Sequence, residues 1–261
     1  MPFIIVALFL ASLYAGSFMA PYLKSVYIIA APNVTITKPA QLLDLTSWKL
    51  TLPTGDDESP TEVKQPELAD YTNADWFKLN DTKTAVTFRA PVNGVTTSGS
   101  GYPRSELREM EQDGKTKANW SSTSGTHTML LEESVTAVPS VKKQVVAAQI
   151  HDADDDVLVI RLDYPRLYVN VDGKNKLMLD QNYTLGRKFT IKLVVSQGKT
   201  NVYYNNSVKP VYTLNKNYKS SYFKAGAYTQ SNCEKEVVPW LCNDKNYGEV
   251  QIYSLKVSHT P

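Results

Sequence analysis

Hydrophobic and polar residues alternate along most of this chain. Phe189, Ile191, Leu193 and Val195 occupy every second position, and Val250, Ile252, Leu255 and Val257 nearly do. Successive side chains of a strand point to opposite faces, so this spacing predicts strands with one buried face. From Ala85 onward the same habit recurs in AVTFRA, RSELREM, THTMLLEESV, QVVAAQIH, VLVIRLD, RLYVNVD, KFTIKLVVS, TNVYYNN, VKPVYTL, YFKAGAYTQ and EVQIYSLKVS. Turn-forming residues separate them, as in Val171 to Gly173, Ser196 to Gly198 and Asn205 with Asn206, which is hairpin chemistry. No apolar stripe at helical spacing appears beyond the N-terminal leader. An all-β jelly-roll sandwich of two antiparallel sheets is therefore expected. It begins near LDLTSWKLTLP, Leu43 to Pro53, and the acidic, polar stretch Thr54 to Pro66 reads as a surface loop.

Three of these runs carry an unusual polar face. Arg104, Glu106 and Arg108 share one side of their strand, as do Gln149 with His151, and Tyr222, Lys224, Tyr228 and Gln230. Leu107, Ile150, Phe223, Ala225 and Ala227 then point into the core. A solvated strand face usually carries Lys, Glu, Ser and Thr. Arg, Gln, His and Tyr instead make directional contacts to a polar ligand.

Composition narrows the setting. The 261 residues suit one large β domain, and a formal charge of +2 is too mild to suggest a nucleic-acid partner. Sixteen tyrosines against seven phenylalanines favour half-wet β surfaces and sugar-binding clefts. The apolar run PFIIVALFLASLYAG reads as a secretory signal over residues 1–20, its cleavage point left open. Residues 21–41 then form a linker or pro-segment and 42–261 the domain. An extracellular location without stable membrane association after processing follows. There Cys233 and Cys242 would form a disulfide, the alternative being two buried thiols. Asn33, Asn80, Asn119, Asn182 and Asn205 begin glycosylation sequons.

RSELR, QIH and YFKAGAYTQ, in this order, strongly resemble the motifs of the family 7 polysaccharide lyases, the alginate lyases. Weaker echoes lie in LDLTSWKLTLP and EVQIYSLKVSH, so the likeness covers roughly Leu42 to His259. The resemblance implies a monomeric jelly roll whose concave sheet binds alginate or a related anionic polysaccharide and cleaves it by β-elimination, with no cofactor and no metal. A base removes the C5 proton of a uronate, an acid protonates the departing 4-linked oxygen, and donors neutralise the carboxylate. By analogy Arg104 and Gln149 take the carboxylate, and His151 and Tyr228 move protons. Glu106, Arg108, Lys224, Gln230 and Tyr222 line the cleft, with Arg108 and Lys224 holding flanking carboxylates and Glu106 orienting the two arginines. The isoleucine of QIH leans toward guluronate linkages in this family. Thr54 to Pro66 and Cys233 to Cys242 are the expected cleft walls.

Other readings stay open on the residues alone. A glycoside hydrolase needs two paired carboxylic acids, and Glu106 has no evident partner on its face. A carbohydrate-binding module, or a lyase of another polyuronate such as glucuronan, would share the groove. HDADDD, His151 to Asp156, lacks the glycine and distal glutamate of a calcium loop and reads as a solvated turn. His127 and His259 read as ordinary hydrogen-bonding residues.

Overall fold

Alternation along the chain becomes alternation of burial in a computed structural model that describes residues 35–261. The expected signal segment, most of the linker and the Asn33 sequon lie outside these residues. In chain order the strands are β1 (Trp48–Asp56), β2 (Ser59–Val63), β3 (Phe77–Leu79), β4 (Val86–Pro91), β5 (Arg104–Glu109), β6 (Thr126–Ala137), β7 (Gln144–His151), β8 (Asp156–Asp163), β9 (Arg166–Val171), β10 (Lys174–Asp180), β11 (Phe189–Ser196), β12 (Lys199–Tyr204), β13 (Tyr212–Asn215), β14 (Tyr222–Thr229) and β15 (Tyr247–Thr260). They pair antiparallel into an 8-stranded sheet, β10-β9-β8-β7-β14-β5-β1-β2, and a 7-stranded sheet, β13-β12-β11-β6-β15-β4-β3. Along β11 every second residue is buried, as its spacing predicts. In β15 the register shifts between Ile252 and Ser254, which is why Leu255 and Val257 fall one position off the ideal repeat.

The inner faces join in one core. Leu50, Leu107, Ile150 and Phe223 of the first sheet meet Phe88, Leu131, Val250 and Ile252 of the second in a single buried cluster. The turns at Asp172 with Gly173 and at Gln197 with Gly198 each place both residues at positive φ. That backbone matches the twist of a tight hairpin.

Two expectations need correction. Thr54 to Pro66 is mostly hairpin rather than loop, because β1 runs on to Asp56 and returns as β2. In VKPVYTL only Tyr212–Asn215 is strand. The strands that the hydrophobic pattern misses, β2, β3 and β10, share a cause with this shortened β13: all four are sheet edges. β2 and β10 are mostly exposed. An edge strand with little to bury needs no apolar alternation. Among the described residues no helix is long and apolar enough to cross a membrane.

Glu133 of β6 breaks the apolar rule of the core. It is fully buried, neither carboxyl oxygen has a hydrogen-bond partner among the described residues, and burial pushes its pKa up to about 8. Between the ordinary carboxyl value and about 8 the folded protein keeps a proton that the unfolded chain has lost. Stability must then fall as pH rises across that window. Replacing Glu133 by Gln removes this titration. Thermal melts between about pH 5 and about pH 9 should show a smaller loss for Glu133→Gln than for the parent protein. Parallel losses would refute the buried neutral acid.

Candidate active site

Register brings the three polar runs together at the middle of the larger sheet. β14 lies between β7 and β5, with Tyr222 opposite His151 and Lys224 opposite both Gln149 and Arg108. Further along, Gly226 faces Glu106 and Tyr228 faces Arg104. Alternation puts all of these on the outer side of the sheet, over Leu107, Ile150 and Phe223. Gly226 has a φ of +140°, and a Cβ there would sit 2.6 Å from the Ser105 carbonyl oxygen and 2.9 Å from the Glu106 Cα. Only glycine lets β14 close on β5 at that point.

Glu106 is the hub of the floor. Its carboxylate accepts from Lys224 Nζ at 2.7 Å, from Arg104 Nη1 at 3.3 Å, and from Gln149 Nε2. Burial favours its neutral form, yet Lys224 and Arg104 outweigh burial and hold the carboxyl below the usual range. Burial, then repulsion from Arg104, pulls the Lys224 ammonium down to about 8 against the attraction of Glu106. Two expectations change here. Glu106 orients one arginine, one lysine and one amide rather than two arginines. Lys224, expected to hold a substrate carboxylate, is already committed to a protein carboxylate.

Arg108 instead stacks its guanidinium 3.9 Å above the Tyr222 ring and donates from Nη1 to the Glu109 carbonyl at 2.7 Å. Among the described residues it makes no ion pair. Tyr222 in turn stacks on His151, with ring centroids 5.2 Å apart and planes 15° apart. His151 Nδ1 lies 2.7 Å from the Asp152 carbonyl and 3.1 Å from the Tyr222 hydroxyl. A carbonyl only accepts, so Nδ1 carries the proton and Nε2 keeps its lone pair. Burial lowers the His151 pKa, and Lys224 and Arg104 add to that. The ring is therefore held neutral.

At the other end Arg104 stacks 3.9 Å over the Tyr228 ring. Ser100 joins the two, with its Oγ 2.9 Å from the Tyr228 hydroxyl and accepting from Arg104 Nη2 at 3.0 Å. Nothing in SGSGY marked Ser100 as a site residue except its place just before RSELR. The cleft over this floor encloses about 380 Å³. Its sides are Thr97 to Ser100, the Lys49–Glu62 ion pair, Lys117 and Asp154 to Asp156. Burial, then the Asp155 carboxylate, raise the Asp156 carboxyl to about 6.

Gln230 directly follows β14, and among the described residues its buried Nε2 has no hydrogen-bond partner. The Cys233–Cys242 disulfide is formed, and from the Thr54 to Pro66 stretch Glu62 lines the cleft. Among the described residues no group of His, Cys, Asp and Glu is placed to hold a metal ion. A larger cavity of about 660 Å³ contains none of the expected site residues.

Comparison with known proteins agrees with this geometry. A family model described as alginate lyase matches residues 43–259. A curated alginate lyase of Klebsiella pneumoniae is 35% identical over 97 residues, a match spanning 35% of this chain and 31% of that protein. The crystal structure of the alginate lyase from Corynebacterium sp. superposes with a TM-score of 0.81 at 50% identity, covering 86% of this chain and 99% of that one. A family 7 alginate lyase, A1-II', solved as a variant in complex with the substrate GGMG, superposes with a TM-score of 0.71 at 29% identity, covering 87% of this chain and 98% of that one. With the motifs, the two-sheet fold and a family match over nearly the whole described domain in agreement, this chain belongs to the alginate lyases of polysaccharide lyase family 7.

Proposed function

We propose that the cleft cleaves the 4-linked uronate chain of alginate by β-elimination and releases oligosaccharides with a 4,5-unsaturated end. The observation that carries this reading is one neutral imidazole with an unblocked nitrogen, His151 Nε2, in the same cleft as a phenol packed under a guanidinium, Tyr228 under Arg104. The GGMG complex of a relative supports alginate as the substrate. The Cys233–Cys242 disulfide suits the extracellular site of action expected from the leader.

Arg104 and the second N–H of Gln149 Nε2 approach the substrate carboxylate and stabilise the charge that grows on it as C5 loses its proton. The electron pair of the C5–H bond becomes the C4=C5 double bond, and the C4–O bond breaks. Tyr228 donates its proton to the departing oxygen. In guluronate the C5 proton and the leaving oxygen lie on opposite sides of the ring, so His151 Nε2 takes the proton. In mannuronate they lie on the same side, so Tyr228, starting as the phenolate, takes the C5 proton and passes that same proton to the departing oxygen. Ile150 is fully buried on the core face, so any lean toward guluronate acts through packing and not through contact.

Purified protein incubated with alginate should generate ultraviolet absorbance from unsaturated uronate ends. A hydrolase would yield reducing ends without that absorbance, and a binding module neither, so its absence on alginate, polymannuronate, polyguluronate and glucuronan would sink the lyase reading. Tyr228→Phe should lower kcat on alginate by about 10²–10⁴-fold while leaving oligosaccharide binding nearly intact. His151→Asn should do so on polyguluronate and far less on polymannuronate.

The direction of the His151 shift sets the pH response. A base works deprotonated, and burial with Lys224 and Arg104 lowers its pKa. For polyguluronate, kcat/KM should rise with pH along an acidic limb centred below about 6.5, the ordinary imidazole value. A limb centred above that value would count against His151 as base.

A further inference from the structure

Directly behind the cleft, Glu109 ends β5 with its side chain on the core face. The carboxylate is almost fully buried and receives three N–H groups: Trp120 Nε1 at 3.0 Å, the Phe223 backbone at 2.9 Å and His259 Nε2 at 2.6 Å. Phe223 lies between Tyr222 and Lys224, so Glu109 grips the active-site strand from below. The chain of contacts continues outward. His259 of β15 stands opposite His127 of β6, and their Nδ1 atoms are 2.8 Å apart. His127 Nε2 faces the carbonyl oxygens of Ser124 at 2.8 Å and Ser121 at 3.1 Å. Trp120 stacks on His127 with centroids 4.5 Å apart.

Counting protons along this line fixes its charge. Carbonyl oxygens only accept, so His127 Nε2 carries a proton, and His259 Nε2 carries one toward the carboxylate. Two facing ring nitrogens at 2.8 Å bond only if one proton lies between them. Three protons on two imidazoles make one imidazolium, balanced by Glu109. Burial lowers the pKa of His127, and of the two rings it is His259 that touches the Glu109 carboxylate. The nitrogens of His259 bond in opposite directions, so the trio does not converge on a common ion. Among the described residues, the charged or titratable groups facing the cavity beside it are Glu109 from β5, Glu111 and Asp113 from the following turn, His127 from β6 and His259 from β15. The His259 side chain is 40% exposed there, so the shared proton exchanges with solvent.

We propose that Glu109, His259 and His127 form a proton-linked brace that positions β14, which makes His259 a positioning residue for cleavage at the opposite face of the sheet. This rests on the β-elimination reading, because only there do Tyr222, Lys224 and Tyr228 need a fixed register. When rising pH removes the shared proton, two lone pairs face each other, the His127–His259 contact breaks, and the hold of Glu109 on the Phe223 amide loosens.

The test uses the full protein with ¹⁵N-labelled histidine and the His259→Leu variant. In the parent protein at neutral pH, the spectrum should show one proton coupled to two ring nitrogens, and it should disappear as pH rises. For His259→Leu, kcat should fall about tenfold with little change in KM. The ratio of parent to variant kcat should then shrink toward one as pH rises, over the same interval in which the shared proton is lost. Titrations elsewhere cancel in that ratio, and a purely structural role would leave it flat. Absence of the shared proton at neutral pH, or a pH-independent ratio, overturns the brace. The proton count needs no variant, so it decides the matter even if His259→Leu does not fold. A parent protein that releases no unsaturated ends would overturn the functional reading and leave the proton count standing.

Discussion

A buried carboxylate under the cleft floor is the constraint on which the active face depends. Glu106 is 1% exposed and ionised. An isolated buried charge costs several kcal/mol even after relaxation, and breaking a buried pair typically costs about 3–5 kcal/mol. Glu106 therefore has to keep Lys224, Arg104 and Gln149 around it. Those partners sit on three strands, so one carboxylate ties β5, β14 and β7 together from the polar side. Gly226 is part of the same constraint, since any side chain there would collide with the strand that carries Glu106.

The consequence for a polyanion is uneven. A cleft for uronates needs positive charge, but Lys224 and Lys49 are each paired with a glutamate inside the protein. Arg108 is not, and Arg104 shares its donors among Glu106, Ser100 and the Tyr228 ring. Pairing commits the lysines to protein carboxylates and uses them to set the shape of the floor. Attraction is then concentrated where a guanidinium can present a planar pair of donors to a carboxylate. Beyond His151 the rim turns acidic at Asp154 to Asp156.

What could be read from the sequence was whatever period 2 reports. Strands with one buried face, β11 above all, were visible, and so were the polar faces of β5, β7 and β14, because a long-range register still leaves local alternation intact. Edge strands were invisible for the opposite reason, since they bury little. Pairing partners cannot be inferred from alternation: Glu106 and Arg108 are two residues apart on one face, yet Glu106 bonds across to Lys224 while Arg108 turns to Tyr222. Ser100 escaped because a serine in a glycine-rich loop has no pattern until the fold sets it between Arg104 and Tyr228. Gln230 continues the alternation one residue past the end of β14, where its N–H still bonds to the Gln144 carbonyl of β7.

The same period explains why β5 supports two polar systems. Its even-numbered residues, Arg104, Glu106 and Arg108, face the cleft, while Ser105, Leu107 and Glu109 face the core. Each face carries a carboxylate that collects donors from other segments, Glu106 above the sheet and Glu109 below it. Each also reaches β14, Glu106 through the Lys224 side chain and Glu109 through the Phe223 amide, so adjacent residues of β14 are held from opposite sides. Ladder pairing with β5 and β7 fixes the backbone of β14 within the sheet, and the two carboxylates add one hold on each of its faces.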